Sequence, residues 1–141
     1  MLTTSATDVR KDWGGFIDSV VREKPRMIKR SRDYILAISI DMLRDILKSE
    51  KMHILLFNEE DGSVTAVIDE LDLTANAPNE EQVIQQLADD AIEYANEYYD
   101  QFSYWHSAPN RRQHLAFVLA ILACDPEKVS KELFICQVGK I

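Results

Sequence analysis

Glycine and proline are scarce, four of each in 141 residues, and cysteine is scarcer still at two. Such a composition excludes collagen-like repeats, flexible linkers and low-complexity disorder, so folded structure is expected throughout. Cys124 and Cys136 have no CxxC spacing, and the third and fourth ligands of a zinc site are missing. Both are expected to be buried as small apolar side chains in a reducing compartment. No apolar run approaches the roughly 18 residues of a membrane-spanning helix, and the chain does not open on a basic-then-apolar leader. A cytoplasmic location with no membrane partner is the expectation.

Catalytic motifs are missing as well. There is no GxSxG elbow, HExxH helix, P-loop or GxGxxG turn, so nucleophilic, metallohydrolase and nucleotide-phosphate chemistries lack their local geometry. His53, His106 and His114 fall in different predicted elements, and only the last two, eight residues apart, could approach one helical face. Adjacent acids such as Asp89 with Asp90, or Glu59 with Glu60, do not converge on one point of a helix. The acidic Asp61-Gly62 turn fails as a calcium loop, because Phe57 stands where an oxygen ligand is required. The expectation is a protein without catalytic residues, metal ion or cofactor. An enzyme would need carboxylates, or His106 and His114, brought together in a pocket.

What the sequence does have is a divided charge. The whole chain carries -8, which by itself disfavours a phosphate partner. Residues 1–48, however, hold ten Lys and Arg against seven Asp and Glu, a net of +3, whereas the remaining 93 hold six against 17, a net of -11. Arg22, Lys24, Arg26, Lys29, Arg30 and Arg32 fall within eleven positions, opposed only by Glu23. That run is either a phosphate-binding patch or a solvated basic face.

Hydrophobic periodicity gives an α+β chain. Leu2–Thr4 is short and β-prone, and Ser5 stands three positions before Asp8 as the cap of a helix beginning near Ala6. Val9, Trp13, Phe16, Ile17, Val20 and Val21 form one stripe along that helix. Gly14 and Gly15 interrupt it at a packing contact or a kink. After Pro25 a hairpin with a basic tip is expected, Arg26–Arg30 and Tyr34–Ser39 around Ser31, Arg32 and Asp33. Ser39 then caps a second helix. A second hairpin spans His53–Ile68 around the Asp-Gly turn. Pro78 and Asn79 open a long helix whose stripe runs from Ile84 to Trp105, followed by helices from Asn110 to about Cys124 and from Pro126 to about Cys136. Two domains are expected, residues 1–48 and 51–141.

The run Thr3-Thr4-Ser5-Ala6-Thr7-Asp8-Val9-Arg10-Lys11, the valine pair at 20 and 21, the segment Lys24-Pro25-Arg26-Met27-Ile28-Lys29-Arg30 and the apolar strand leading to a capped helix resemble the amino-terminal domain of the Phd/YefM antitoxins. The resemblance covers about residues 1–48. It implies a homodimer with an α/β core that binds palindromic operator DNA and represses its own toxin–antitoxin operon. By position, Arg10 matches the arginine near the first turn of the first helix and Arg30 the basic residue closing the second strand. Thr3, Ser5 and Lys11 beside Arg10, and Lys29 and Arg32 beside Arg30, complete the DNA-contacting set so implied, although Thr3 and Ser5 equally suit strand and cap. Gly14 and Gly15 depart from the family pattern, as do the 90 or so structured residues that follow. Within these, residues 53–95 bear a fainter similarity to the partial RNase-H-like fold of HicB antitoxins.

The resulting expectation is an antitoxin and autorepressor whose acidic part binds a basic protein toxin, the exposed side of the helix at 80–105 making the contact. The alternative is a DNA-binding regulator whose acidic part senses a ligand or oligomerises, without a toxin.

Overall fold

A computed structural model describes residues 1–139. The chain divides into two compact units, Met1–Asp45 and Ile46–Ile141. The architecture is α+β, as the periodicity implied, with a separate sheet in each unit.

In the first unit the order is β1 (Thr4–Ser5), α1 (Ala6–Lys11), α2 (Trp13–Arg22), β2 (Arg26–Arg30) and β3 (Asp33–Ala37), before α3 (Ile40–Leu47), in which the division falls. The sheet order is β1-β2-β3. β1 runs parallel to β2, with Ser5 opposite Lys29, and β2 runs antiparallel to β3, with Arg30 opposite Asp33. Ser31, at φ 55, makes the tight reversal between them. Both expected serine caps form: the Ser5 hydroxyl accepts from the Asp8 amide at 3.1 Å and the Ser39 hydroxyl from the Met42 amide at 3.2 Å.

The single first helix expected from periodicity is two helices, broken at Asp12 (φ -141, ψ 70) rather than at the glycines. Asp12 restarts the helix by accepting a hydrogen bond from the Gly15 amide at 3.1 Å. A β-carbon on Gly15 would lie 2.3 Å from the same carboxylate, while Gly14 has open space around it. Gly15 is therefore the clearance that the cap requires. The apolar stripe divides accordingly. Val9, Phe16 and Val20 are buried against Ile28 and Ala37, whereas Trp13, Ile17 and Val21 are exposed.

The second unit contains β4 (Met52–Asn58), β5 (Val64–Ile68), β6 (Leu73–Ala77), α4 (Glu80–Asp100), α5 (Phe102–Ser107), α6 (Leu115–Leu122), α7 (Val129–Leu133) and β7 (Phe134–Val138). Its sheet has the order β6-β5-β4-β7. Alternate residues of β4 and β5, among them Met52, Ile54, Ala66 and Ile68, are fully buried with Val83, Leu87, Ala91 and Tyr98 of α4 and Val118 of α6. Gly62, at φ 87, turns the hairpin, and the Ser63 hydroxyl and amide both donate to Asp61, holding its carboxyl below the usual aspartate range.

Four expectations need correction. The helix predicted to reach Cys136 stops at Leu133, and Phe134–Val138 forms β7, parallel to β4 with Met52 opposite Phe134. Val129, Leu133 and Cys136 have helical spacing, but β4 would otherwise be left with an unpaired ladder. The long helix breaks at Gln101, and the next one begins as a 3-10 turn at Arg112–His114 rather than at Asn110. Leu73–Ala77 adds a strand to the second hairpin. Finally, Cys136 is exposed and Cys124 half-buried, so neither is the buried side chain expected.

The Asp12–Gly15 pairing is separable by mutation. Asp12→Ala should lower the stability of the first unit by about 1 kcal/mol through loss of the cap. Adding Gly15→Ala should return about the same amount through helix propensity. Urea unfolding of the two variants checks this, and a double variant no more stable than Asp12→Ala would show that Gly15 does not serve the cap.

Candidate functional site

Of the residues singled out in the first unit, Ser5, Lys29, Arg30 and Arg32 lie at one end of its sheet. Parallel pairing places Ser5, the residue at which α1 starts, opposite Lys29, one position before Arg30 and the turn that carries Arg32. Arg10 and Lys11 occupy the last turn of α1 and are exposed, as are Lys29, Arg30 and Arg32. Thr3 precedes β1 at the strand's other end and is also exposed. Lys11 lies 3.9 Å from Asp8, an exposed pair too weak to fix it. Because strand side chains alternate between faces, Lys29 and Arg30 point to opposite sides of the sheet. The Lys29 ammonium sits 5.6 Å from the Tyr34 ring centroid, on the sheet face that Met27, Tyr34 and Leu36 share. Arg30 shares the helix-bearing face with Ile28.

Arg26 belongs to the basic run in sequence but is drawn into the fold of the unit. Its guanidinium donates to the Ser19 hydroxyl at 2.7 Å and to the Thr4 hydroxyl at 2.9 Å, and lies 5.7 Å from the Phe16 ring centroid. One half-buried arginine thus ties β1 to α2 and closes the small core from the sheet side. The planar fork suits that bridging role, since two of its nitrogens each reach one hydroxyl in a fixed geometry. The reading of a continuous basic patch therefore loses Arg26, whose period-two alignment with Ile28 was the available signal.

In the second unit, the two histidines that might have shared a catalytic face are each taken up by a tyrosine. His114 is 2% exposed, with Nδ1 2.7 Å from the Tyr94 hydroxyl. Burial, reinforced by the positive charge of Arg111, depresses its basicity, so the ring is held neutral. Tyr98 donates its one hydroxyl proton to the Arg111 carbonyl at 2.8 Å. The 2.9 Å contact between that hydroxyl and His106 Nδ1 then requires the ring to donate, leaving Nε2 to accept from Arg112 Nε at 3.2 Å. Burial raises the pKa of both tyrosines. This network satisfies polar groups within the core and joins α4, α5 and the turn before α6. Among the described residues, no group of three or more His, Cys, Asp or Glu side chains is placed to hold a metal ion. No helix among them is long and apolar enough to cross a membrane.

The neutral His114 fixes a sign for pH dependence. Its folded pKa lies below the ordinary 6.5, so the unfolded chain binds the extra proton first as pH falls. Its stabilising contribution is complete above about 6.5 and is lost on acidification below that value. Thermal unfolding at pH 7.5 and pH 5.5 should therefore show a larger loss for the natural chain than for His114→Gln. Equal losses would mean that His114 is not held neutral.

A search of curated proteins gives no match. A crystal structure of a protein from Syntrophomonas wolfei subsp. wolfei, described as an antitoxin part of a candidate toxin/antitoxin system, is 36% identical over 99% of this chain and 100% of that one, with a TM-score of 0.92. The PHD_like family model, described as antitoxin of toxin-antitoxin, RelE / RelB, TA system, matches residues 1–135. Spanning both units, that match shows that the chain belongs to this antitoxin family.

Proposed function

We propose that residues 1–48 form a Phd/YefM-type domain that dimerises, binds operator DNA and represses its own operon, and that residues 51–141 bind and neutralise the cognate toxin. The observation that carries the first half is a mismatch between core and surface. The first unit buries only Val9, Phe16 and Val20 among the described residues. Yet the edge strand β3 exposes Tyr34, Ile35 and Leu36 to 54, 56 and 53%, and α2 exposes Trp13, Ile17 and Val21 along one stripe. A unit of 45 residues cannot draw ordinary stability from so small a core, and apolar side chains exposed on α2 and on both faces of β3, Tyr34 and Leu36 on one and Ile35 on the other, mark interaction surfaces. A second copy of the same unit completes that core.

Dimerisation repeats the basic sheet end, so Arg10, Arg30 and their neighbours Thr3, Ser5, Lys11, Lys29 and Arg32 are presented twice. Two such presentations match a palindromic operator and gain affinity through linkage. Arginine serves both roles needed there, since its planar fork holds a phosphate or the acceptor edge of guanine with two hydrogen bonds. The surrounding threonine, serine and lysine side chains set register on the backbone. No catalysis is assigned to the chain, and it acts in the cytoplasm.

Binding of the full chain to its own promoter fragment, followed by fluorescence anisotropy across a salt series, tests this reading. Affinity should fall steeply with salt. Arg10→Ala and Arg30→Ala should each weaken binding about tenfold and reduce the salt slope by about 1, without change in thermal stability. Salt-independent binding, or unaltered affinity in both variants, would remove these residues from the interface.

A further inference from the structure

α4 contains seven carboxylates and no lysine or arginine in 21 residues. Asp89, Glu93, Glu97 and Asp100, spaced by four, four and three, share one exposed stripe. The arrangement is unfavourable twice over. Like charges at i,i+4 oppose each other, and Glu97 and Asp100 lie in the last turn, where negative charge opposes the helix dipole. Among the described residues no ion pair neutralises any of these groups. Asp89 is the one member of the stripe with a side-chain donor, Gln85 at 3.0 Å.

The stripe ends at a cluster of aromatic side chains. Phe102 and Tyr104, at the start of α5, are exposed to 40 and 67%. Two positions apart, they project from different sides of α5, and each meets a neighbouring ring. Phe102 stacks on His106 at 4.7 Å and meets Tyr98 edge-on at 5.8 Å, while Tyr104 meets the half-buried Trp105 edge-on at 5.3 Å. His106 and Tyr98 are in turn fixed by their mutual hydrogen bond and by the bonds to Arg111 and Arg112. Large aromatic rings held in place lose little freedom on association, and such rings dominate protein interfaces.

We propose that this α4–α5 corner is the toxin-docking surface, with Phe102 and Tyr104 as apolar anchors and the Asp89–Asp100 stripe as the complement to a basic toxin face. The proposal rests on the reading that residues 51–141 engage the toxin. Charge selects the occupant. An unneutralised anionic ridge repels nucleic acid and repels a second copy of itself, whereas a cationic protein surface relieves both unfavourable terms within α4. The anchors set the lifetime of the complex and the stripe sets the encounter rate.

The test uses the full chain and the protein encoded by the adjacent reading frame. In stopped-flow and calorimetric titrations, Tyr104→Ala and Phe102→Ala should raise Kd at least tenfold through faster dissociation. The double variant Glu93→Lys, Glu97→Lys should slow association about tenfold in dilute salt, with the difference shrinking in concentrated salt. Operator affinity should be unchanged in all of them. Tyr104 and both glutamates are exposed, so their variants report on binding even if Phe102→Ala perturbs folding. Tight binding by the natural chain that these variants leave unaltered would overturn the docking surface alone. Failure of the natural chain to bind that protein would overturn both the surface and the reading beneath it.

Discussion

The constraint from which the account follows is the shortage of buried apolar surface in the first unit. Three buried side chains, supplemented by Ile28 and Ala37, are a thin core for a unit of some 45 residues. The deficit has a visible remedy in the apolar side chains that α2 and β3 leave exposed. In the proposed dimer a second copy placed on them adds core without adding sequence, and it also supplies a symmetry suited to operator recognition. On that proposal, dimerisation, stability and DNA recognition are one physical problem in this unit. Arg26 belongs to that solution, since a polar side chain with both hydroxyl partners satisfied closes a core too thin to be closed by carbon alone.

The second unit faces no such shortage. Twenty buried side chains surround one sheet face and the helices on it, and the buried polar groups are partnered, Tyr94 by His114 and Tyr98 by His106 and the Arg111 carbonyl. Stability to spare allows a surface that is locally unfavourable. The unneutralised acids of α4 and the exposed ring of Tyr104 lie outside that core. The opposite charges of the two parts follow the same logic. On the proposed reading, a basic unit suits a phosphate partner and an acidic unit suits a basic protein.

Elements governed by local rules were legible in the sequence. The Ser5 and Ser39 caps, both hairpins, and the start of α4 at Asn79 follow from residues within four positions of one another. What escaped depends on distant partners. Phe134–Val138 is a strand because β4 offers it a ladder eighty residues away, and Leu73–Ala77, rich in alanine and asparagine, is a strand because β5 does. The break at Asp12 was hidden by the adjacent glycines, which drew attention to themselves while the carboxylate did the capping. In the candidate site, the basic run was plain from composition, but its division was not. Arg26 turns inward with Ile28, and only the pairing of β1 with β2 brings Ser5 beside Lys29. The splitting of the first apolar stripe into buried and exposed halves was equally beyond periodicity, because a stripe facing a core and a stripe facing a partner have the same spacing.

Amide hydrogen exchange on the full chain at several protein concentrations addresses the central claim most directly. If the first unit completes its core with a second copy, protection of the β2, β3 and α2 amides will rise with concentration, while amides of β4, β5 and α4 keep the same protection at every concentration. Protection in β2, β3 and α2 that is high and independent of concentration would contradict it, showing that the small core suffices alone.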